Sequence, residues 1–169
     1  METGCEPPRI VAGMPMYNEE ETIGTVVTMA LRHVDEVICI DDGSSDSSAR
    51  IAEACGATVI RHRGNQGYGA ALKTLFKATR GSDADILVVL DSDGQHDTAD
   101  IPKLIQPILD EEADFTIGSR FVEGGEGNDM PAYRRLGIKV ITAASNLTSD
   151  LGIKDTQSGF RAFSRKAID

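Results

Sequence analysis

The chain has 169 residues, 40% of them hydrophobic and 26% charged, a balance that fits one globular domain and argues against a disordered tail or two independent domains. Its formal charge of -10 would repel a phosphate backbone, so general nucleic-acid binding is disfavoured and any anionic ligand needs a cation, a helix N-terminus or clustered basic residues. No apolar run reaches the roughly 18 residues of a membrane span, and the three cysteines, Cys5, Cys39 and Cys55, match no metal or redox spacing, which points to reduced thiols in a cytoplasm.

In chain order, a β-branched apolar stretch at 10–14 predicts a strand. Residues 20–33 follow as a helix with Ile23, Val26, Val27, Ala30 and Leu31 on one face. A second unit has its strand at 36–40 and its helix at 45–55, closed by Gly56. Residues 57–60 read as a third strand, 68–79 as a helix with Ala71, Leu72, Leu75 and Phe76 inward, and 86–90 as a strand buried on both faces. A helix at 101–111, opened by Pro102, and a strand at 114–118 come next. Residues 121–130 hold Gly124, Gly125 and Gly127 among acidic residues, which suits a mobile loop and a candidate lid. A long helix is expected over 133–147, an extended piece over 160–163, and at 165–169 a helix that has barely begun, so the domain reads as truncated at its C-terminus. The whole is one α/β domain, residues 1–169, with a mostly parallel sheet flanked by helices, because each parallel return needs a crossover.

In such sheets ligands bind beyond the carboxyl ends of the strands. The first strand leads into Pro15-Met16-Tyr17-Asn18-Glu19-Glu20, the second into Asp41-Asp42-Gly43-Ser44-Ser45-Asp46, and the fourth into Asp91-Ser92-Asp93-Gly94-Gln95-His96. Any one cluster alone reads as turn and cap chemistry. Together they set several carboxylates around one crevice, where repulsion is unfavourable without a cation or a hydrogen-bonding ligand. Asp91 and Asp93 are two apart, so in extended backbone both face one way while Ser92 faces the other. Hard oxygen ligands of this kind select Mg2+ or Mn2+, with water and substrate phosphates completing the shell. An EF-hand is rejected, since glycine falls at the fourth loop position and Pro102 at the twelfth. The glycines at 64, 67 and 69 would let backbone N–H groups approach an anion, though the run is neither G-x-G-x-x-G nor a Walker loop. Tyr17 is a candidate for base stacking, and His33 and His62 read as surface residues.

Taken in order, Pro15-x-Tyr17-Asn18-Glu19-Glu20, Asp41-Asp42-Gly43-Ser44-x-Asp46, Asn65-x-Gly67, Asp91-x-Asp93-x-Gln95-His96, Gly118-Ser119-Arg120 and Gln157-Ser158-Gly159-Phe160-Arg161 resemble glycosyltransferase family 2. These are inverting enzymes of the GT-A fold, and the likeness is to the members that glycosylate polyprenyl phosphates, dolichyl-phosphate mannose synthase among them. The resemblance implies a hexosyltransferase that moves a sugar from a UDP- or GDP-sugar to a polyprenyl phosphate at the cytoplasmic face of a membrane, with peripheral membrane contact and Mg2+ or Mn2+ as cofactor. It divides the chain into a nucleotide-binding half, about 1–97, and an acceptor-side half, about 98–169. By position it implies nucleotide contacts from Pro15, Tyr17, Asn18, Glu19, Asp41, Asp42, Gly67, Lys73, Asp91, Ser92 and Asp93, with Asp42 the partner of a uracil. It implies metal ligation by Asp91, Asp93 and Gln95, a catalytic set of Asp91, Asp93 and Arg120, and acceptor contacts from Arg120, Arg134, Arg135, Ser158 and Arg161.

A phosphate acceptor is already an anion and can attack the anomeric carbon in line without a strong base, which predicts single displacement with inversion. A saccharide hydroxyl acceptor would need a carboxylate base, and no Asp-Asp or Glu-Asp motif of that kind is obvious after Gly118. Two rivals stand beside this reading. A sugar-phosphate nucleotidyltransferase would open with a basic Gly-rich loop where this chain has Tyr17-Asn18-Glu19. A non-catalytic sugar-nucleotide-binding domain would bind donor without turnover.

Overall fold

The computed structural model describes residues 7–119, 137–141 and 159–169. Its strands are β1 (Ile10–Met16), β2 (Glu36–Asp41), β3 (Thr58–Arg61), β4 (Ile86–Val89), β5 (Phe115–Ser119), β6 (Gly137–Ile141) and β7 (Arg161–Ser164). Its helices are α1 (Ile23–Ala30), α2 (Ser48–Ala54), α3 (Tyr68–Arg80), α4 (Ile101–Leu109) and the short α5 (Arg165–Ile168). The strands form one sheet in the order β3-β2-β1-β4-β7-β5-β6.

The first four strands pair in parallel, as βα units require. The period-two alternation then sorts their side chains. Ala12, Met14 and Met16 of β1 pack with α1, α2 and α4, whereas Val11, with Ile38 and Ile40 of β2, packs with Ala71 and Leu75 of α3. The sheet is therefore covered on both faces, which explains the unbroken apolar run of β4. On the α3 side, a Cβ at Gly13 would collide with the Leu75 side chain, so glycine lets α3 settle close on β1. Leu75 is fully buried, and Leu75→Ala would leave a cavity against the bare Gly13 backbone. The expected cost is about 3 kcal/mol of stability, read as a lower urea midpoint at unchanged slope.

Beyond β4 the sheet departs from simple alternation. β7 lies antiparallel between β4 and β5, and β6 pairs antiparallel with β5. Among the described residues five of the seven strands still run the same way, so the sheet is mostly parallel as expected. The extended piece at 160–163 is β7, and the helix expected over 133–147 is corrected in part. Residues 137–141 are strand β6, where Ile138, Val140 and Ile141 suit a pleat and Gly137 weakens a helix. The remainder of that helix, the expected lid at 121–130, and Arg120, Arg134, Arg135 and Ser158 lie outside the described residues.

Cys39, on β2, is fully buried on the sheet face that packs α1 and α2, and Cys55 packs at the edge of the same core. Burial, then the charges of Asp41 and Cys55, pushes the Cys39 thiol up to about 12, so it stays protonated and inert. Among the described residues no helix is long and apolar enough to cross a membrane.

Candidate active site

The parallel register brings the carboxyl ends of β2, β1 and β4 side by side. Met16 pairs with Asp41, and the chain leaving β4 continues the ladder through the Leu90 N–H, which donates to the Gly13 carbonyl at 3.1 Å. The two loops beyond β1 and β2 are laced together. The Asn18 N–H donates to Ser44 Oγ at 3.0 Å and the Ser45 N–H to Asn18 Oδ1 at 2.9 Å. The Glu19 N–H donates to Ser48 Oγ at 2.7 Å, and the Ser47 N–H returns a bond to Glu20 Oε2 at 2.9 Å. Asn18 adopts a left-handed φ of 55° at this crossing, a conformation asparagine tolerates better than most residues.

The paired acids that end β2 have different fates. Asp41 is fully buried and turns to Arg61, its register partner on β3, with Nε 2.7 Å from Oδ2. That contact is an ion pair without good hydrogen-bond angles, since Oδ2 lacks a properly aligned donor. The Ser44 N–H serves Oδ1 at 2.9 Å. Asp42 points the other way, toward the glycine loop. Its carboxylate accepts the Gln66 N–H at 2.9 Å and the Gly67 N–H at 2.7 Å, and His62 Nδ1 lies 2.7 Å from it. Burial pushes the Asp42 carboxyl up, but the bonds from Gln66, His62 and Gly67 outweigh it and hold the group below its ordinary range. His62 is therefore no surface residue. Its side chain is 9% exposed, and its Nε2 sits 2.8 Å from Thr74 Oγ1 on α3.

Beyond β4 the chain turns, with Asp91 and Asp93 at the cavity and Ser92 inward, although the backbone here is a turn and not the extended segment on which the expectation rests. The Ser92 hydroxyl donates to the Pro15 carbonyl at 3.0 Å, and the Ser92 carbonyl accepts from Thr22 Oγ1 at 2.8 Å. Asp93 Oδ1 accepts the Gln95 N–H at 2.9 Å. Asp91 lies 3.3 Å from the Nε2 of buried His96, whose ring stacks on Phe160 at 5.3 Å between centroids. Tyr68 Oη approaches Asp91 from the opposite wall at 3.4 Å. The His96 hydrogen bond holds the Asp91 carboxyl below its ordinary range against the effect of burial, helped by the Tyr68 hydroxyl and the charge of Arg161. Burial and then the Asp91 charge push the Tyr68 phenol up, which keeps it a donor. Gly159 lies so close to Asp91 that a Cβ there would collide with the carboxylate.

These elements enclose a cavity of about 340 Å³, within the usual range for a small-ligand cleft. Of the residues expected at a nucleotide, Pro15, Tyr17, Glu19, Asp42, Gly67, Asp91, Ser92 and Asp93 line it together. Asn18, Asp41, Lys73 and Gln95 do not. Asn18 and Asp41 are engaged in holding loops, while Lys73 and Gln95 are exposed. Ser92 lines the wall, but its hydroxyl is committed to Pro15. Met16, Asn65, Tyr68 and Ala71 also line the cavity. Tyr68 and Ala71 are one helical turn apart on the first turns of α3, a spacing that could have marked them beside Gly67. Arg161 begins β7 opposite Val89, and its charge acts on both Asp91 and Tyr68.

Among the described residues no three His, Cys, Asp or Glu side chains converge as a metal cage. Two carboxylates at a cavity wall, one of them held ionised, nevertheless suit a Mg2+- or Mn2+-type ion whose remaining ligands are water and phosphate oxygen. The donor set fits a site completed by its ligand.

A family model described as glycosyl transferase family 2 matches residues 12–169. The chain belongs to that family. Among family 2 relatives, the chain is 34% identical over 173 residues to the UDP-N-acetylglucosamine--dolichyl-phosphate N-acetylglucosaminyltransferase of Methanococcus voltae, covering 92% of this chain and 69% of that protein. It is 33% identical to the dolichol-phosphate mannosyltransferase of Pyrococcus furiosus, covering 92% of this chain and 46% of that one. The glucosyl-3-phosphoglycerate synthase of Mycobacterium tuberculosis, solved with Mn2+, UDP-glucose and phosphoglyceric acid, superposes with a TM-score of 0.63 at 26% identity, over 94% of this chain and 57% of that one. The chain thus spans about half to two thirds of the length of these proteins. The family 2 fold is the GT-A arrangement.

Proposed function

We propose that this chain is the catalytic domain of a metal-dependent, inverting glycosyltransferase that moves a sugar from a UDP- or GDP-sugar to a polyprenyl phosphate. The observation that carries this reading is the shared cavity. Pro15, Tyr17, Glu19 and Asp42 from β1 and β2 face Asp91 and Asp93 from β4 across one cleft, the arrangement a nucleotide joined to a diphosphate requires. The acceptor class rests on the names of the two archaeal relatives.

In this reading the exposed ring of Tyr17 is a stacking surface for the base, and residues 1–97 form the donor half. Asp91 and Asp93 would hold a divalent ion, whose chemistry is to stabilise negative charge on a departing diphosphate. Asp91 is kept ionised and oriented by His96, and Tyr68 donates from the facing wall. Arg161, whose charge reaches Asp91, would meet an anionic acceptor and offset its repulsion from the acids. Arg120, Arg134, Arg135 and Ser158 are assigned to the same acceptor half, about 98–169, by their motif positions. A phosphate acceptor attacks as the anion it already is, so no carboxylate base is required of the chain. Peripheral contact with the cytoplasmic face of a membrane follows from a lipid-linked acceptor.

Calorimetric titration with UDP and GDP, each with Mn2+ and with a chelator, tests the donor side. One nucleotide is expected to bind at least tenfold more tightly with Mn2+ than with chelator. Equal affinity in both conditions would remove the metal from the site, and binding of neither nucleotide would remove the donor assignment. Transfer of labelled sugar to phosphoglycerate in place of a short polyprenyl phosphate would redirect the acceptor.

A further inference from the structure

We propose that His62, which does not line the cavity, is a positioning residue that fixes the glycine-rich wall by clamping Asp42 from behind. The inference deepens the donor-site reading and rests on it for the identity of the ligand. Asp42 is 4% exposed, and a carboxylate so far from water needs donors to stay ionised. Two of them are the Gln66 and Gly67 N–H groups, which belong to the wall itself. The third is His62 Nδ1 at 2.7 Å, on a side chain that can be changed without altering the loop that it braces.

The opposite ring nitrogen closes the circuit. Nε2 lies 2.8 Å from Thr74 Oγ1, on the helix whose first turns carry Tyr68 and Ala71 to the cavity. An ionised Asp42 can only accept, so Nδ1 carries a proton whether the ring is neutral or cationic. Thr74 donates to Nε2 in the first case and accepts from it in the second. Either way His62 joins the loop after β2, the loop before α3 and α3 itself. The wall it steadies includes Gly67, whose φ of 89° few other residues would hold. A second close approach lies beside it, since a Cβ on Gly43 would come within 2.6 Å of the Gly64 backbone. The two loops are thus seated by backbone contact and locked by one imidazole. A histidine serving only as core filler would not have both ring nitrogens committed at these distances.

The test compares His62→Ala, His62→Asn and Thr74→Val in the full chain. The first readout is the ligand-free amide resonances of Gln66 and Gly67, and the second is the UDP dissociation constant with Mn2+. His62→Ala is expected to shift both amides and weaken UDP about tenfold, the size of one hydrogen bond to a charged group. His62→Asn keeps an N–H at the Nδ1 position and is expected to recover affinity to within about threefold. Thr74→Val keeps the Asp42 bond but frees the ring, so an intermediate loss is expected. In turnover the loss should fall on donor KM and leave kcat within about threefold. Unmoved Gln66 and Gly67 amides in His62→Ala would overturn the proposal, as would an asparagine variant no better than alanine. If His62→Ala does not fold, the asparagine and valine variants decide by the same readouts. Shifted amides in a protein whose wild type binds no nucleotide would uphold the clamp and sink the donor-site reading instead.

Discussion

Asp93→Ala is expected to lower the transfer of labelled sugar to a short polyprenyl phosphate by two to three orders of magnitude while leaving the fold intact. Asp93 is half-buried at the cavity wall, and the one bond it makes within its own turn, from the Gln95 N–H, is an Asx-type contact whose loss costs little stability. In the proposed reading its second oxygen would hold an ion on the diphosphate. Losing one of two protein ligands would forfeit about 3 to 4 kcal/mol of transition-state stabilisation, which corresponds to that range of rate. The loss should appear in kcat and kcat/KM together, because the charge develops only as the glycosidic bond breaks. Near-wild-type turnover of this variant at saturating Mn2+ would remove Asp93 from the reaction.

Gly159→Val is expected to lower transfer at least a hundredfold without replacing any acid. Gly159 precedes β7, and its place is held by the ladder beside it. The Gly118 N–H donates to the Phe160 carbonyl at 2.8 Å, and Val89 pairs with Arg161. Phe160 is also fully buried, stacked on His96 and closed over Gly118, where a Cβ would come within 2.6 Å of its ring. The backbone therefore cannot retreat, and a side chain at 159 would occupy the space of the Asp91 carboxylate. Asp91 has to rotate away from His96 and Tyr68, while overpacking strain costs about 1 to 3 kcal/mol of stability. Thermal melting and the transfer assay separate the two effects: a folded protein with activity reduced at least a hundredfold is the expected pair. Wild-type activity would mean that Asp91 works equally well from another rotamer.

The strand-end acids show how far linear reasoning reaches. The expectation that Asp91 and Asp93 share a face assumes extended backbone; the structure puts both on one cavity with Ser92 turned to Pro15, but from a turn that begins beyond the end of β4. Strand alternation by itself did not rank Asp41 against Asp42; only the family resemblance favoured Asp42. Their separation came from neighbours: Arg61 stands beside Asp41 in the β2–β3 register, while the glycine loop folds back over Asp42. His62 looked like a surface histidine because its two partners lie 20 and 12 residues away. Gly159 looked like part of a motif, and its reason, the carboxylate against it, is 68 residues distant in sequence.

What the sequence determined by itself was local and periodic. Apolar residues at helical and strand spacing specified the βα units of the first half, and the rule that parallel sheets bind ligands at their carboxyl edge located the site. Tertiary structure alone decided the insertion of β7 between β4 and β5 and the pairing of 137–141 as a strand, and it supplied the contacts that turn Asp42, already favoured by the family resemblance, to the cavity. Those outcomes depend on hydrogen-bonded registers and close backbone approaches between distant segments. Residue periodicity carries no information about them, because a strand's own pattern says which face is buried but not which neighbour will lie beside it.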